Sequence, residues 1–174
     1  MIISEKASER STIHMNYTGS LKEFPMLKGI SDDDLSVLAS LLKEHKITAG
    51  SDIIKEGDSG SELYVLVKGQ VDIIKTTVYK EPFVVASLDA NMHCVFGEMA
   101  MLDNDKRSAT VRAKTDCTVL SIDKKSFDDF CDSHPSSGVK LLRLIGVNLV
   151  RNIRTENNNL KMVYQALIEE IERS

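Results

Sequence analysis

Between residues 46 and 123 the sequence consists of short segments rich in Val, Ile and Leu, separated by turn-forming residues. The turn formers include GDSG at 57–60 and Gly69. Short strands at this spacing favour a closed or two-sheet antiparallel β structure, either a barrel or a jelly roll. The segments are SDIIKEG, ELYVLVKG, QVDIIKT, PFVVASL, SATVRA and DCTVLSID.

Helical patterns lie on both sides of this β region. GISDDDLSVLASLLKEH predicts a helix with Ser31 as N-cap, three acidic residues in its first turn and leucines on one face. KKSFDDFCDSHP is amphipathic, and Pro135 can begin a further helix with an apolar face that continues to Ile153. The polar segment RTENNN at 154–159 predicts an interruption before a second amphipathic segment, 160–171.

The order of these patterns predicts an α+β fold, with one β domain between an N-terminal helical motif and C-terminal helices. Residues 1–20 are polar and without a periodic pattern, so we expect a flexible N-terminal arm there. No internal repeat or low-complexity block divides the remainder, and one domain is the expected count.

Charge and composition exclude several classes of protein. The formal net charge of -4 argues against a general binder of the phosphate backbone, and we expect no nucleic acid partner. No apolar run is long enough to span a membrane, and the N-terminus lacks the apolar core of a secretory signal. Three cysteines without metal-ligand spacing, Cys94, Cys117 and Cys131, indicate reduced thiols in a cytoplasmic protein.

The sequence contains no pattern typical of a catalytic or metal centre. Its histidines are scattered, without the spacing that brings two of them to one ion, and no G-x-S-x-G elbow is present. Cys94 follows His93 in sequence, which does not make the two a catalytic dyad. We therefore expect no enzyme activity, no catalytic residue and no metal or other cofactor. The histidines are His14, His45, His93 and His134.

The segment FGEMAMLDNDKRSATVRA, residues 96–113, has the features of a binding device. Gly97 allows close approach of the backbone, and GEMAML predicts one helical turn whose first amides, near Met99 and Ala100, have no partner within the turn. Such amides bind anions, and Arg107 could add a bidentate contact to a phosphate.

Three other residues of this segment extend the interpretation. Ser108 offers a hydroxyl, and Ala109 is small enough to bring its amide close to a ligand. Glu98 would repel a phosphate but could accept a hydrogen bond from a sugar hydroxyl, so the segment suits a ribose phosphate. From the residues alone the alternative stays open that this is an exposed hairpin in which Arg107 pairs with Glu98 or Asp103.

The same segment resembles the phosphate-binding cassette of cyclic nucleotide-binding domains, found in bacterial catabolite activators, kinase regulatory subunits and cyclic nucleotide-gated channels. The matching residues are FGEMA at 96–100 and RSATV at 107–111. The resemblance implies an eight-stranded antiparallel β-roll flanked by helices. It further implies a cyclic nucleotide-binding domain over 21–155, including a lid helix, and a C-terminal helical tail over 156–174.

The resemblance also implies roles for single residues. Glu98 is expected to accept the ribose 2′-OH, while Arg107 and the amides near Met99, Ala100 and Ala109 hold the cyclic phosphate. Many members carry a Gly-Asp pair shortly before F-G-E, and LDANMHCVFGE lacks it. We therefore expect the loop leading into the cassette to differ from that of the family.

Two further features concern which nucleotide binds. Members selective for cyclic GMP often have Thr after the arginine, whereas Ser108 is similar to the bacterial cyclic AMP activators, so cyclic AMP is favoured over cyclic GMP. In those activators a polar residue of the long helix reaches the base. The candidates here are Thr155, Glu156 and Asn157, which could equally belong to a solvated helix face.

These inferences predict a stand-alone sensor that signals by rearranging its C-terminal helices. The segment after 159 is too short for the DNA-binding domain of the activators, so no such domain is expected. The partner is expected to be an unknown downstream protein or a second copy bound through these helices, unless their apolar faces fold back on the β-roll. The interruption at 154–159 argues against one long coiled coil. The alternative function is an interaction module that binds no nucleotide.

Overall fold

The computed structural model describes residues 17, 19, 21–24, 27–103 and 105–173. Most of the expected flexible arm, 1–20, lies outside the described residues, and the expected flexibility stays a prediction. Residues 17, 19 and 21–23 are helical.

From residue 27 onward, the described part of the chain contains eight strands and four helices, with a 3-10 turn at Ala90–Met92. The helices are α1 (Asp32–Leu41), α2 (Met99–Leu102), α3 (Lys124–Ser133) and α4 (Pro135–Arg173). The strands are β1 (Lys43–Ile47), β2 (Asp52–Ile54), β3 (Glu62–Lys68), β4 (Gln70–Thr76), β5 (Pro82–Asp89), β6 (Val95–Phe96), β7 (Thr110–Ala113) and β8 (Cys117–Asp123).

The strands form two four-stranded antiparallel sheets, in the orders β1-β8-β3-β6 and β2-β7-β4-β5. Leu66 and Val119 from the first sheet and Val71 from the second are fully buried in one core cluster between the sheets. A second core cluster joins the first sheet to the helices and includes Leu35 and Ile145. The predicted α+β fold with an eight-stranded antiparallel β-roll is confirmed.

Two of the strands are absent from the sequence prediction. The first helix was expected to include Lys43 to His45, but α1 ends at Leu41, and Leu42 is extended with ψ 142°. Pairing of β1 with β8, with Lys43 opposite Ser121, outweighs the local helical pattern of these residues. The other strand, β6, has only two residues and is too short to show a period.

Helix α4 is continuous, so the predicted interruption at 154–159 is wrong. It runs for 39 residues, and every residue from 151 to 173 is exposed. Polar residues such as Asn cost a helix little compared with Gly or Pro. The polarity of RTENNN therefore reflects contact with solvent and does not break the backbone.

Within the described residues, no helix combines the length and apolar character needed to cross a bilayer. The same residues contain no group of three His, Cys, Asp or Glu side chains placed to hold a metal ion.

A polar contact fixes where α4 begins relative to α1. The buried Ser137 hydroxyl donates to Asp34 Oδ2 at 2.5 Å, and His134 Nδ1 lies 2.8 Å from Asp34 Oδ1. The hydrogen bond from Ser137 is the main cause of a lowered pKa at Asp34, and the His134 contact adds to it. Since α4 continues from here across the rest of the domain, this contact sets the direction of the helix.

We expect Asp34→Asn to lower the free energy of unfolding at neutral pH. The carboxyl pKa is lowered in the folded state, so its contribution is complete above the ordinary value of 3.8 and disappears as pH falls through the folded pKa. Urea unfolding at pH 7 and at about pH 3 measures the difference. Asp33→Asn, one residue earlier in the same exposed helical turn, is the control; an equal loss in both variants would contradict the prediction.

Candidate functional site

The cassette, residues 96–113, connects β6 to β7 through a sharp turn at Gly97. Gly97 has φ 75°, and a Cβ there would lie 2.9 Å from Arg107 Nη1 and 3.0 Å from the backbone oxygen of Glu62. Only glycine fits this conformation and this space. The predicted helical turn follows directly as α2, with Glu98 as its N-cap.

Helix α2 is held at both ends. Its first hydrogen bond runs from Met101 N to Glu98 O at 3.1 Å, so the amides of Met99 and Ala100 precede the helical hydrogen bonds. At its other end, Lys124 Nζ donates to Met101 O at 2.7 Å. Ala100 and Met101 are buried against the β-roll, whereas Met99 is exposed.

Arg107 is buried, and its guanidinium is held from several sides. Nη1 donates to Gly97 O at 3.2 Å, and Nη2 donates to Glu62 Oε2 at 3.1 Å. Its backbone is fixed as well, since Arg107 N donates to Asp58 O at 2.9 Å and Gly57 N donates to Arg107 O at 2.9 Å. The alternative of an exposed hairpin with Arg107 paired to Glu98 or Asp103 is therefore wrong. The carboxylate that pairs with Arg107 is Glu62.

Glu98 is only 6% exposed, and a residue of α4 contacts it. Asn152 Nδ2 donates to Glu98 Oε1 at 3.2 Å. Burial raises the pKa of the carboxyl above its ordinary value, and the hydrogen bond from Asn152 offsets part of that effect. A carboxylate accepts about four hydrogen bonds, so Glu98 has capacity for a hydroxyl donor.

The two remaining cassette residues lie beside this pair of charges. Ser108 is exposed, with its hydroxyl 3.5 Å from Met99 Sδ, and Ala109 is half-buried. Arg107 is a donor-only group and Glu98 an acceptor. The arrangement therefore suits a ligand with an anionic group and a hydroxyl close together.

A cleft of about 1370 Å³ separates the cassette from α4. Lys106, Arg143 and Arg151 add positive charge to its lining. Thr155 follows Asn152 by three residues, which places both on the same helical face. All of the residues selected from the sequence line this cleft, namely Gly97, Glu98, Met99, Ala100, Arg107, Ser108, Ala109, Thr155, Glu156 and Asn157.

Sequence reasoning missed three contributors to the site. Glu62 lies 45 positions before Arg107, and Asn152 lies 54 positions after Glu98, so no local pattern connects either pair. Gly60 was recognised only as a turn residue. A Cβ at Gly60 would approach Arg107 Nε to 2.9 Å, so this glycine makes room for the guanidinium.

The sequence lacks the family's Gly-Asp pair in the loop that leads into the cassette. In the structure this loop contains the 3-10 turn at Ala90–Met92. Asp89 caps the turn by accepting from Asn91 N at 2.8 Å, and the turn ends at His93 with φ 52°. His93 thus takes a left-handed conformation without being glycine.

We expect Glu98→Gln to stabilise the protein at neutral pH. Since the folded-state pKa of Glu98 is raised, folding favours the protonated carboxyl. The cost to stability begins as pH rises through the ordinary pKa of 4.5 and is complete above the folded-state pKa. Glutamine is uncharged and still accepts from Asn152. Urea unfolding should show a gain at pH 7 that shrinks toward about pH 4, near the ordinary carboxyl pKa.

The matched control for this prediction is Glu156→Gln, which removes one negative charge from the exposed face of α4. It should leave the free energy of unfolding unchanged within about 0.5 kcal/mol. A loss of stability in Glu98→Gln at pH 7 would show that burial of the charged carboxylate is not costly here.

Residues 44–134 match the family model described as "Cyclic nucleotide-binding domain". The cAMP-dependent protein kinase regulatory subunit of Emericella nidulans is 34% identical over 126 residues, which are 72% of this chain and 29% of the relative. Human cGMP-dependent protein kinase 2 is 31% identical over 114 residues, which are 64% of this chain and 15% of the relative. The chain thus spans less than a third of the length of these relatives.

The fold is similar to that of proteins whose structures have been solved. In a co-crystal structure with cAMP, the regulatory domain of Toxoplasma gondii PKA is similar, with a TM-score of 0.67 and 25% identity. The similarity covers 76% of this chain and 49% of that one.

Proposed function

The chain belongs to the cyclic nucleotide-binding domain family, and we propose that it is a cytoplasmic sensor that binds cyclic AMP in preference to cyclic GMP. It acts as a binding protein and not as an enzyme. The observation that carries the proposal is the pair of buried opposite charges, Arg107 and Glu98, on one wall of a cleft that is closed by α4.

The phosphate is assigned to Arg107 and the neighbouring amides. The guanidinium has five N–H donors, and its contacts to Gly97 and Glu62 leave others for phosphate oxygens. Glu62 keeps the charge compensated when no ligand is bound, so the guanidinium is already oriented. The amides of Met99, Ala100 and Ala109 would add neutral donors around the same anion.

The sugar is assigned to Glu98. A ribose hydroxyl would donate to a carboxylate that is already desolvated, which strengthens the hydrogen bond. Asn152 of α4 currently donates to the same carboxylate. We infer that the ribose competes with Asn152, so that binding releases this contact and lets the C-terminal helix rearrange. The ligand needs only to favour the rearranged state by about 1–3 kcal/mol.

The preference for cyclic AMP rests on Ser108, at the position where members selective for cyclic GMP often carry Thr. Thr155 is the favoured contact to the base, because it shares a helical face with Asn152, and Glu156 and Asn157 lie beside it. Relatives named for each nucleotide match the chain, so cyclic GMP remains the second candidate ligand.

The signal is proposed to leave through α4. Residues 21–155 would form the sensing domain with its lid, and 156–174 the tail that meets a downstream protein or a second copy. The rival function, an interaction module without nucleotide binding, lacks support from the site, since both charged residues of the cassette are present and buried.

We expect Arg107→Lys to weaken cyclic nucleotide binding by about 100-fold, because a lysine cannot make the bidentate contact of a guanidinium. Isothermal titration calorimetry of the parent and variant with cyclic AMP and cyclic GMP measures the loss. Arg112→Lys is the matched control, because this exposed arginine of β7 is paired with Asp52 outside the cleft. Thermal unfolding without nucleotide confirms that both variants are folded.

Two results would count against the proposal. If neither nucleotide binds the parent chain below about 1 mM, the sensor function is wrong. If Arg107→Lys binds as tightly as Arg112→Lys, the phosphate is not held by Arg107. Tighter binding of cyclic GMP than of cyclic AMP would overturn the stated preference.

We expect Asn152→Ala to bind cyclic AMP about 2–10-fold more tightly than the parent, since it removes a competing hydrogen bond of ordinary strength. The same calorimetric titration measures the change. Asn158→Ala, an exposed asparagine of the same helix outside the cleft lining, should leave the affinity unchanged. Weaker binding in Asn152→Ala would mean that Asn152 supports the bound nucleotide and does not compete with it.

A further inference from the structure

The cleft between the cassette and α4 is basic, although the chain as a whole is acidic. Seven Lys and Arg residues and only two carboxylates, Glu98 and Glu156, line it, whereas the whole sequence has 22 Lys and Arg against 26 Asp and Glu. Arg107 has the carboxylate of Glu62 as its partner, and Lys140 donates to a backbone oxygen. The other five basic residues, called the unpaired cations below, are Lys28, Lys75, Lys106, Arg143 and Arg151.

Within the described part of the chain, the side chains of the unpaired cations have no hydrogen-bond or ion-pair partner. Like charges that are held together without counter-charges repel one another, so they do not stabilise the domain. A cleft lined by charges of one sign attracts ions of the other sign. The unpaired cations are therefore suited to an anionic ligand.

Two of the unpaired cations, Arg143 and Arg151, lie on the side of α4 that lines the cleft. They are eight positions apart, which corresponds to about two helical turns and roughly 12 Å along the axis. Val147 lies between them and lines the cleft as well. Burial raises the pKa of the Cys94 thiol, and the positive charge of Arg151 offsets part of this rise. The guanidinium of Arg151 is therefore close to the wall of the cleft that Cys94 forms.

One cyclic mononucleotide does not account for all of this positive charge. Its phosphate carries a single negative charge, and Arg107 with the cassette amides is the proposed partner of that phosphate. The cleft, at about 1370 Å³, is also larger than the roughly 300–1,000 Å³ of most pockets that enclose a small ligand. Charge and space are therefore available for another anionic group.

We propose that Arg143 and Arg151 form a second anion subsite on α4, which takes a phosphate group in addition to the phosphate held by Arg107. The inference rests on the proposed function, because the first phosphate is assigned there. Guanidinium groups bind phosphate oxygens with two parallel hydrogen bonds, which makes arginine well suited to such a subsite. Arginine side chains are long enough for two that start two turns apart to reach one group above Val147.

The second phosphate belongs either to the same ligand, as in a cyclic dinucleotide, or to a separate anion. The cassette itself admits both cases. Its pair of Arg107 and Glu98 suits a phosphodiester beside a free ribose hydroxyl, and a cyclic dinucleotide contains two such units. The lysines among the unpaired cations add positive potential around either ligand.

Calorimetric titration of the full chain with cyclic AMP, cyclic di-AMP and pyrophosphate tests the proposal. If both phosphates belong to one ligand, the parent should bind cyclic di-AMP at least about 10-fold more tightly than cyclic AMP. If the second anion is separate, pyrophosphate should bind to the parent in the presence of saturating cyclic AMP. In either case Arg143→Gln/Arg151→Gln should weaken binding of that probe by at least about 10-fold and of cyclic AMP by less than about 3-fold.

The matched control is the double variant Arg154→Gln/Lys161→Gln. It removes two positive charges from exposed positions of the same helix that lie outside the cleft lining. Its affinities should stay within about 2-fold of those of the parent, because exposed charges at a distance are screened by salt. Glutamine is a good helix former, and thermal unfolding without ligand confirms that both double variants are folded.

Three results would overturn the proposal. A parent chain that shows neither tighter binding of cyclic di-AMP nor binding of pyrophosphate beside cyclic AMP has no second subsite. An equal loss for cyclic AMP and for the other probe in Arg143→Gln/Arg151→Gln would mean that these arginines attract any anion. Equal losses in the control variant would assign the effect to net charge.

Failure of the proposed function gives a different result. If cyclic AMP does not bind, but pyrophosphate binds and depends on Arg143 and Arg151, the cyclic AMP sensor is wrong and the anion subsite on α4 stands.

Discussion

The site depends on the burial of one guanidinium. Arg107 is taken out of water, which is costly unless its charge is compensated and its donors are used. Glu62 at the start of β3 and the carbonyl of Gly97 meet that requirement, while the missing side chain at Gly60 makes room. The contacts of Arg107 join the cassette to β3 and to the loop at 57–60. The geometry of this cleft wall is therefore set by the groups that compensate one buried charge.

Glu98 is also buried, but the donor that contacts it is a neutral amide and not a residue of opposite charge. Its carboxyl is buried beside the turn at Gly97, and burial raises its pKa. The donor that relieves part of this cost, Asn152, comes from a helix that reaches the site from the far end of the domain. A costly buried acid is typical of functional sites, where stability is given up for binding. The hydrogen bond from Asn152 therefore connects the buried carboxylate of the site to α4.

Helix α4 makes two polar contacts that position it on the domain. Its start is fixed by Ser137 and His134 on Asp34, its middle contacts Glu98 through Asn152, and its remainder is exposed to solvent. Because α4 is unbroken from Pro135 to Arg173, the contacts at Asp34 and at Glu98 belong to one continuous element. The proposed release of Asn152 would therefore act on this whole helix, without a separate hinge.

The sequence by itself determined the β-roll between helices, the helical turn after Gly97 and the residues of the cassette, because these depend on local periodicity, turn chemistry and short spacings. The sequence analysis wrongly predicted a helix interruption at 154–159. Polar residues are typical both of a helix break and of a helix that is exposed on all sides, and composition alone does not distinguish the two. Only the tertiary structure decided that Glu62 compensates Arg107 and that Asn152 reaches Glu98. Both contacts join residues at least 45 positions apart, and such pairs are selected by packing of the whole domain, not by any local pattern.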